Sequence, residues 1–571
     1  MSSAISEAGG GPAGGSNLRT GGQVLVDTLV THGADHVFCV PGESYLAVLD
    51  AFHDSPLNIT VCRQEGGAAM MADAYGKLTG RPGICFVTRG PGATNASAGV
   101  HIAFQDSSPM ILFIGQVGRD MIDREAFQEI DYRRMFGQMA KWVAQIDDAS
   151  RIAEYVTRAF YTATSGRPGP VVLALPEDML CDLVAPASVD RFTPVVTHPG
   201  AADMAQVNEL LAGAQRPFVL VGGGGWSADA AANMAQFAER WEMGVAVSFR
   251  AQDYFDNNHP NYIGDVGIGV NPKLAARVDE ADVLLVLGAR LGEMTTGGYT
   301  LIDIPRPKQK LIHVYPGAEE LGRVYQPHLA INAGMAPVTA ALAALKPPAA
   351  RPWLSRTLQA RADYLSWTEP PATRGDVQMG QIIGWLRSHL PEDAILCNGA
   401  GNYASWPNRF YRYRQFRTLL GPTSGSMGYG TPAAVAAKRL HPQRTVIAFA
   451  GDGCFMMNGQ EFATAIQYDL PIIVIVVNNG IYGTIRMHQE REYPGRISAT
   501  DLVNPDFAAL AKAYGGHGEV VRETKDFVPA FERAQASGKP SIIEIRLDAD
   551  VITPNTTLSA IREAALKKRA K

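Results

Sequence analysis

Two apolar runs, each ending in a polar cluster, constrain this chain more than any other stretch. Val446 to Ala450 (VIAFA) leads straight into Gly451-Asp452-Gly453, and Leu470 to Val477 (LPIIVIVV) ends in Asn478-Asn479. Between them Asn458 stands three residues ahead of Glu461, a capping-box spacing that predicts one helix from there to Tyr468-Asp469. A strand–helix–strand unit of this length closes right-handed and brings both strand C-termini to one edge of a sheet. Asp452 and Asn479 are therefore expected at one rim. An aspartate and an amide oxygen there make a hard oxygen site suited to Mg²⁺, with further ligands from backbone, water and a diphosphate. Gly-Asp-Gly alone would equally suit a βαβ unit with polar caps; the paired strand ends favour the metal–diphosphate reading.

Length and composition bound the rest. A chain of 571 residues is too long for one core and predicts about three or four domains. A net charge of −5 lacks the basic excess of nucleic-acid binders, so no nucleic-acid partner is expected. No apolar run approaches the ~20 residues that span a bilayer. Residues 1–16 are small and glycine-rich, without the basic and apolar segments of a signal peptide, and read as a disordered tail. A cytoplasmic location without a membrane partner follows as the expectation. The six cysteines show no metal-ligand spacing and sit mostly in apolar runs, which predicts buried, reduced thiols.

Residues 17–185 alternate helix and strand. Thr20 to His32 reads as a helix, Val37 to Val40 as a strand, Leu57 to Cys62 as a strand running into Arg63-Gln64-Glu65, and Gly66 to Leu78 as a helix. Strands at Gly83 to Thr88 and Met110 to Ile114 flank a helix expected from Asn95. A proline-rich linker, 186–203, precedes a second unit, 204–345, with strands at Phe218 to Val221, Val245 to Val247, Val283 to Leu287 and Leu311 to Val314. Residues 346–375 read as a second linker, 376–550 as the third unit, and 551–571 as a basic, solvated tail. This alternation argues for an α/β protein of three doubly wound parallel-sheet domains.

Glu65 ends an apolar strand and opens an Ala/Gly/Met helix. A carboxyl placed there is poorly hydrated and tends to a raised pKa unless paired; a helix N-terminus that simply favours acid would show the same residue. Gly425-Ser426-Met427-Gly428 precedes a helix and is either a loop built for close backbone approach to a ligand or a Gly-rich turn with a core Met. Gly401-Asn402-Tyr403 follows the strand Ala394 to Leu396, where free N–H groups can meet an anion. Gly222 to Ser227 follows a strand too, but Ser227 breaks the dinucleotide fingerprint, which wants glycine there.

Taken together, RQEGGAAMMADAYGKLTG, GPGATN, GPTSGSMGYGTPAA and the GDG…NN pair resemble the thiamine diphosphate (ThDP)-dependent decarboxylases and carboligases, closest to the acetolactate synthase catalytic subunits. The resemblance covers residues 17–550 and implies a pyrimidine-binding, a central and a diphosphate-binding domain. It implies that Asp452, Asn479 and the Ile481 carbonyl hold Mg²⁺, with Gly42, Gly401, Asn402, Tyr403, Gly425, Met427, Gly451 and Gly453 around the coenzyme. Glu65 would hydrogen-bond the aminopyrimidine, so that the coenzyme deprotonates its own C2 and becomes the nucleophile. Gln128, with Phe127 beside it, would line the active-site approach, and Lys141 is a further candidate there. The implied reaction is attack on a 2-oxo acid, loss of CO₂ and addition to a second carbonyl. A homodimer or homotetramer with the active site at the subunit interface follows, and a small regulatory subunit is left open.

VGGGG, IGDVGIG and LGARLGE resemble the family's FAD-holding central domain, making Gly223 and Arg290 its candidate contacts. The chain departs from that pattern at Gly292-Glu293-Met294, at Tyr315-Pro316-Gly317, and at His488, where a substrate-capping Trp would stand. These changes spare the coenzyme core and leave FAD and the substrate pair open, with Met294 and His488 in the substrate pocket. A non-ligating decarboxylase or C–C lyase is the alternative. A catalytically silent homologue fits the retained Glu65, Asp452 and Asn479 less well, and an NAD-dependent dehydrogenase fails at Ser227.

Overall fold

The computed structural model describes residues 18–570; the segment read as a tail, 1–16, lies outside them. Eighteen strands form three six-stranded parallel sheets. The first holds β1 (His36–Cys39), β2 (Asn58–Val61), β3 (Gly83–Val87), β4 (Met110–Gln116), β5 (Trp142–Gln145) and β6 (Pro170–Pro176), in the order β2-β1-β3-β4-β6-β5. The second holds β7 (Pro217–Val221), β8 (Val245–Ser248), β9 (Tyr262–Val266), β10 (Val283–Leu287), β11 (Lys310–Tyr315) and β12 (Leu329–Asn332), ordered β9-β8-β7-β10-β11-β12. The third holds β13 (Ile395–Asn398), β14 (Leu419–Leu420), β15 (Val446–Gly451), β16 (Ile473–Asn478), β17 (His517–Val521) and β18 (Ser541–Arg546), ordered β14-β13-β15-β16-β18-β17. The first and third orders are the same. The central strands, such as β4, β10 and β16, are buried on both faces, as continuous Val/Ile/Leu runs require under two layers of helix.

The helices that position the site are α1 (Glu65–Thr79), α2 (Pro91–Asp106), α3 (Ala228–Trp241), α4 (Leu354–Trp367), α5 (Gly430–Leu440), α6 (Asp452–Asn458), α7 (Glu461–Gln467), α8 (Gly483–Glu492) and α9 (Leu558–Arg569). Helix α1 of the first unit packs on α5 of the third, and one apolar core spans both units, while the central unit keeps its own.

Several sequence readings need correction. The helix expected from Asn458 opens later, at Glu461 (α7), while Asn458 ends a separate helix, α6; the Glu461 carboxylate caps no N–H of its own helix but reaches the first unit. Helix α2 begins at Pro91, ahead of Asn95, because proline fits the first turn. Residues 346–375 are no mere linker, since α4 lies within them and buries Ala360 and Tyr364 against the central unit. Seven strands, β5, β6, β9, β12, β14, β17 and β18, have no counterpart among those read from the sequence. The segment 551–571 is not simply solvated: α9 packs on α8, and Arg562 Nε donates to buried Glu490 at 2.8 Å. Five cysteines are buried and all six are free; Cys181 is exposed.

Candidate active site

In the third sheet Gly451 and Val477 are parallel neighbours, so the residues just beyond them share one rim. There a cavity of about 230 Å³ is lined by all ten coenzyme and metal candidates of this unit: Gly401, Asn402, Tyr403, Gly425, Met427, Gly451, Asp452, Gly453, Asn479 and Ile481. Its walls are otherwise largely apolar, including Trp406, Ile485, Leu547, Val551 and Ile552. Gly425 adopts φ 67°, and a Cβ built there would meet no atom within 4 Å, so its backbone lies open to a ligand.

Asp452 is buried and acts as a hub. Oδ1 accepts from Gly453 N at 2.9 Å, and Oδ2 accepts from Gly480 N and Asn504 Nδ2, both at 2.8 Å. Burial pushes its carboxyl pKa up, against the pull of these donors. A divalent cation would offset that desolvation cost. The two adjacent asparagines divide the work. Asn478 turns into the sheet, its Nδ2 donating to Glu544 Oε1 at 2.6 Å and its Oδ1 accepting from Asn504 at 3.0 Å. Asn479 lines the cavity with Asp452, and its Oδ1 accepts only a long bond, from Ile481 N at 3.4 Å. Among the described residues no group of three or more His, Cys, Asp or Glu could hold a metal. The donors present are instead one carboxylate, one amide and backbone carbonyls, the oxygen set that a hard cation takes. Asn504 and Glu544 were missed in the sequence; neither stands in a motif, and only the folded rim shows what they hold.

The candidates of the first unit meet on a different rim. Glu65 opens α1, is half-buried, and its Oε2 accepts from Asn95 Nδ2 at 3.0 Å. Gly42 lies against Thr88, Gly92 lies between Thr88 and Glu65, and Gly90 lies under Gln128, whose φ is 66°. The Phe127 carbonyl accepts from Arg89 Nε at 3.2 Å while its ring is 73% exposed. No residue of this unit lines the Asp452 cavity. Lys141 is not on this rim: it precedes β5, at the opposite edge of the sheet, and donates to the Thr162 and Ser165 carbonyls. His488 is exposed on α8 with Nδ1 at 3.4 Å from Arg491, and Met294 follows β10; neither lines the Asp452 cavity.

A second cavity, of about 480 Å³, lies where the three units meet, outside the carboxyl ends of β7, β8, β11 and β12. Three non-glycine residues lining it, Ser107, Arg250 and Arg417, have φ of 58°, 65° and 63°. Gly223 lines it too, but a Cβ there would fall 1.7 Å from the Gly288 carbonyl oxygen, so this glycine serves strand packing. Arg290 does not line it; its guanidinium engages Glu320 at 3.3 Å and the Gln105 carbonyl at 3.4 Å. Ser227 caps α3 by accepting from Ala230 N at 3.2 Å.

Comparison with known families accounts for this arrangement. Residues 19–135 match the thiamine pyrophosphate enzyme N-terminal TPP binding domain, 204–345 the central domain, and 399–545 the C-terminal TPP binding domain. The chain belongs to the thiamine diphosphate-dependent enzymes. It is 31% identical to an acetolactate synthase large subunit of Parasynechococcus marenigrum, over 96% of this chain and 90% of that one. It is 33% identical to an acetolactate synthase of Arthrospira platensis, over 93% and 94%. It is 31% identical to the acetolactate synthase isozyme 2 large subunit of Escherichia coli, over 92% and 95%. Like these relatives it is an enzyme, and the three parallel sheets are the three domains of its family. No helix among the described residues is long and apolar enough to cross a membrane.

Proposed function

We propose that this enzyme is an Mg²⁺-dependent, acetolactate synthase-like carboligase and decarboxylase of 2-oxo acids, acting in the cytoplasm. The observation that carries the reading is the single cavity lined by all ten coenzyme and metal candidates of the third unit. Asp452, Asn479 and the Ile481 carbonyl would hold Mg²⁺, and the Gly401-Asn402-Tyr403 turn would receive the diphosphate. Bound ThDP supplies a carbon nucleophile and an electron sink for decarboxylation. The protein then has little acid–base work to do. Met427 would support the coenzyme from beneath, and the apolar walls would exclude water from it. Glu65 would hold the pyrimidine proton in place, and Gln128 would face the approaching substrate.

Since no residue of the first unit lines the Asp452 cavity, Glu65 is read as acting on the cavity of a second copy, in a homodimer or homotetramer. Exposed Met456, Met457, Ile485 and Val503, close in sequence to cavity residues, support burial by such a copy. A small regulatory subunit would join only if this chain shares that feature of large-subunit relatives. Of the two FAD candidates only Gly223 lines the central cavity, while Arg290 is paired with Glu320 and does not line it. Turnover is therefore read as independent of flavin. Met294 and His488 favour keeping a second outcome, protonation in place of the second carbonyl, which would make the enzyme a simple decarboxylase or C–C lyase.

The test is a screen of 2-oxo acids against purified protein with and without ThDP and Mg²⁺, following CO₂ and acyloin products together with the visible flavin absorbance. CO₂ release that needs both additions supports the reading, and acyloins separate ligation from simple decarboxylation. No CO₂ from any 2-oxo acid overturns it.

A further inference from the structure

The carboxylate of Glu461 is fully buried, and the site described above does not use it. Its Oε1 accepts from Arg63 N at 3.0 Å and from Gln64 N at 2.9 Å; its Oε2 accepts from Arg63 N at 3.3 Å and from Thr464 Oγ1 at 2.6 Å. The two peptide groups are those just before Glu65, nearly four hundred residues away in sequence. We propose that Glu461 is the positioning residue for Glu65: it fixes the turn from β2 into α1 and so the place from which the Glu65 side chain departs.

Two further hydrogen bonds concentrate on the same turn. Val61 N donates to Tyr468 Oη at 2.8 Å, and Arg63 Nη2 to Gln467 Oε1 at 2.6 Å. Helix α7 and the residue after it thus grip Val61, Arg63 and Gln64, from the end of the edge strand of the first sheet into the turn. Gly67 is shaped to the carboxylate, since a Cβ there would lie 2.6 Å from Glu461 Oε1. Gln64 is extended, with φ −155° and ψ 141°, and its own side chain caps α1 at Gly67 N. Burying a carboxylate is costly unless its oxygens are satisfied, so its placement against two N–H groups and a hydroxyl calls for a reason beyond filling space. Burial pushes the Glu461 carboxyl pKa up, against the pull of Thr464 and the two peptide groups. The reason offered by the geometry is precision at Glu65, because a misplacement of about 1 Å can cost ~10²-fold in rate.

The inference rests on the proposed role of Glu65, and the experiment separates the two. Full-length protein with ThDP and Mg²⁺ is assayed for exchange of the coenzyme C2 proton with deuterium, without substrate, in Glu461→Ala, Glu461→Gln, Glu461→Asp and Glu65→Gln. Amide hydrogen exchange over residues 61–67 is followed in the coenzyme-free protein. Glu461→Ala should slow C2 exchange and kcat together by about 10–100-fold, raise amide exchange at 63 and 64, and leave coenzyme affinity within about threefold. Glu461→Gln keeps an oxygen that can accept both N–H groups and should recover to within about threefold of wild type. If Glu461→Ala does not fold, Glu461→Asp, which withdraws the acceptor by one methylene, should show the same loss. Slow C2 exchange in Glu65→Gln alongside wild-type exchange in the Ala or Asp variant overturns this inference alone. Wild-type exchange in Glu65→Gln overturns the role of Glu65 itself, and the positioning role with it.

Discussion

The first and third sheets share one strand order and differ in what stands at their rims. Beyond β15 and β16 of the third sheet come Asp452 and Asn479, oxygen ligands over an apolar cavity. Beyond β2 and β3 of the first come Glu65 and the Thr88–Gly92 turn, with one half-buried carboxyl and no comparable ligand pair. Equivalent topology thus carries different side chains: in the proposed function the third rim would bind charge and the first would hold a proton at a chosen atom. The central sheet, ordered as in dinucleotide-binding folds, keeps its own core, and polar groups at its rim engage the other units: Asp253 accepts from Thr418 N and Leu419 N, and Arg250 donates to the Gly399 carbonyl. Fold alone therefore predicts where a site lies in each unit, and side chains decide which units have one.

The comparison breaks first at Asp452. Asp452→Asn removes the only carboxylate of the third rim, and kcat should fall by at least about 10³-fold, with Mg²⁺ no longer binding by calorimetry. Activity that survived this change would mean that the third rim is not the charge-binding half.

The two units are also tied by a buried charge cluster. Lys77 of α1 lies 3.0 Å from Asp73 and pairs with Asp106, while Tyr429 Oη donates to Asp73 at 2.6 Å and Thr423 N to Asp106 at 2.7 Å. Burial pushes the Asp73 carboxyl pKa up, and Lys77 opposes it. Lys77→Met would strand two carboxylates and should cost about 3–5 kcal/mol, seen as a lower apparent Tm. Lys77→Met/Asp106→Asn should recover part of the loss, which sharpens the case that the first and third units are stabilised as one body.

Much of this was legible in the sequence, and the misses share a cause. The three units and the paired strand ends at Asp452 and Asn479 follow from apolar runs that stop at glycine or at a polar pair, which are local signals, whereas Ile481 and the coenzyme role of Met427 rest on the family resemblance. Glu461 was misread as a capping residue because its partners, Arg63 and Gln64, are distant in sequence. Asn504 and Glu544 are equally distant from the residues they hold. Residues 346–375 were taken for a linker because their ends are rich in proline, although LSRTLQARADYLSW between them forms α4. In each case a tertiary contact outweighed the local pattern.

The central cavity gives a smaller effect, read through pH. Asp253 lines it, and its Oδ2 accepts from Thr418 N and Leu419 N at 3.0 and 3.1 Å, tying the central unit to the third. Burial pushes its carboxyl up to about 6 from an ordinary 3.8. The folded protein therefore binds more protons than the unfolded chain between these values, and stability attributable to Asp253 falls as pH rises through that window. Asp253→Asn escapes this cost. It should be more stable than wild type by about 1–2 kcal/mol above pH ~6, with the difference vanishing below pH ~4 in parallel melting curves. A constant difference at every pH would show that Asp253 is ionised without penalty and that the central cavity is wetter than its burial indicates.

The smallest effect is at Ser227, where the central unit departs from the dinucleotide fingerprint. If that departure alone kept flavin out, Ser227→Gly would restore binding. The structure argues otherwise, because Ser227 is spent on capping α3, and Arg290 is paired with Glu320 and does not line the central cavity. Exchanging an N-cap serine for glycine costs only a few tenths of a kcal/mol. The variant should therefore melt within about 1 °C of wild type and purify without flavin absorbance. Bound flavin in Ser227→Gly would make the central rim a third functional site held off by a single hydroxymethyl group, and would bring the second sheet into line with the other two.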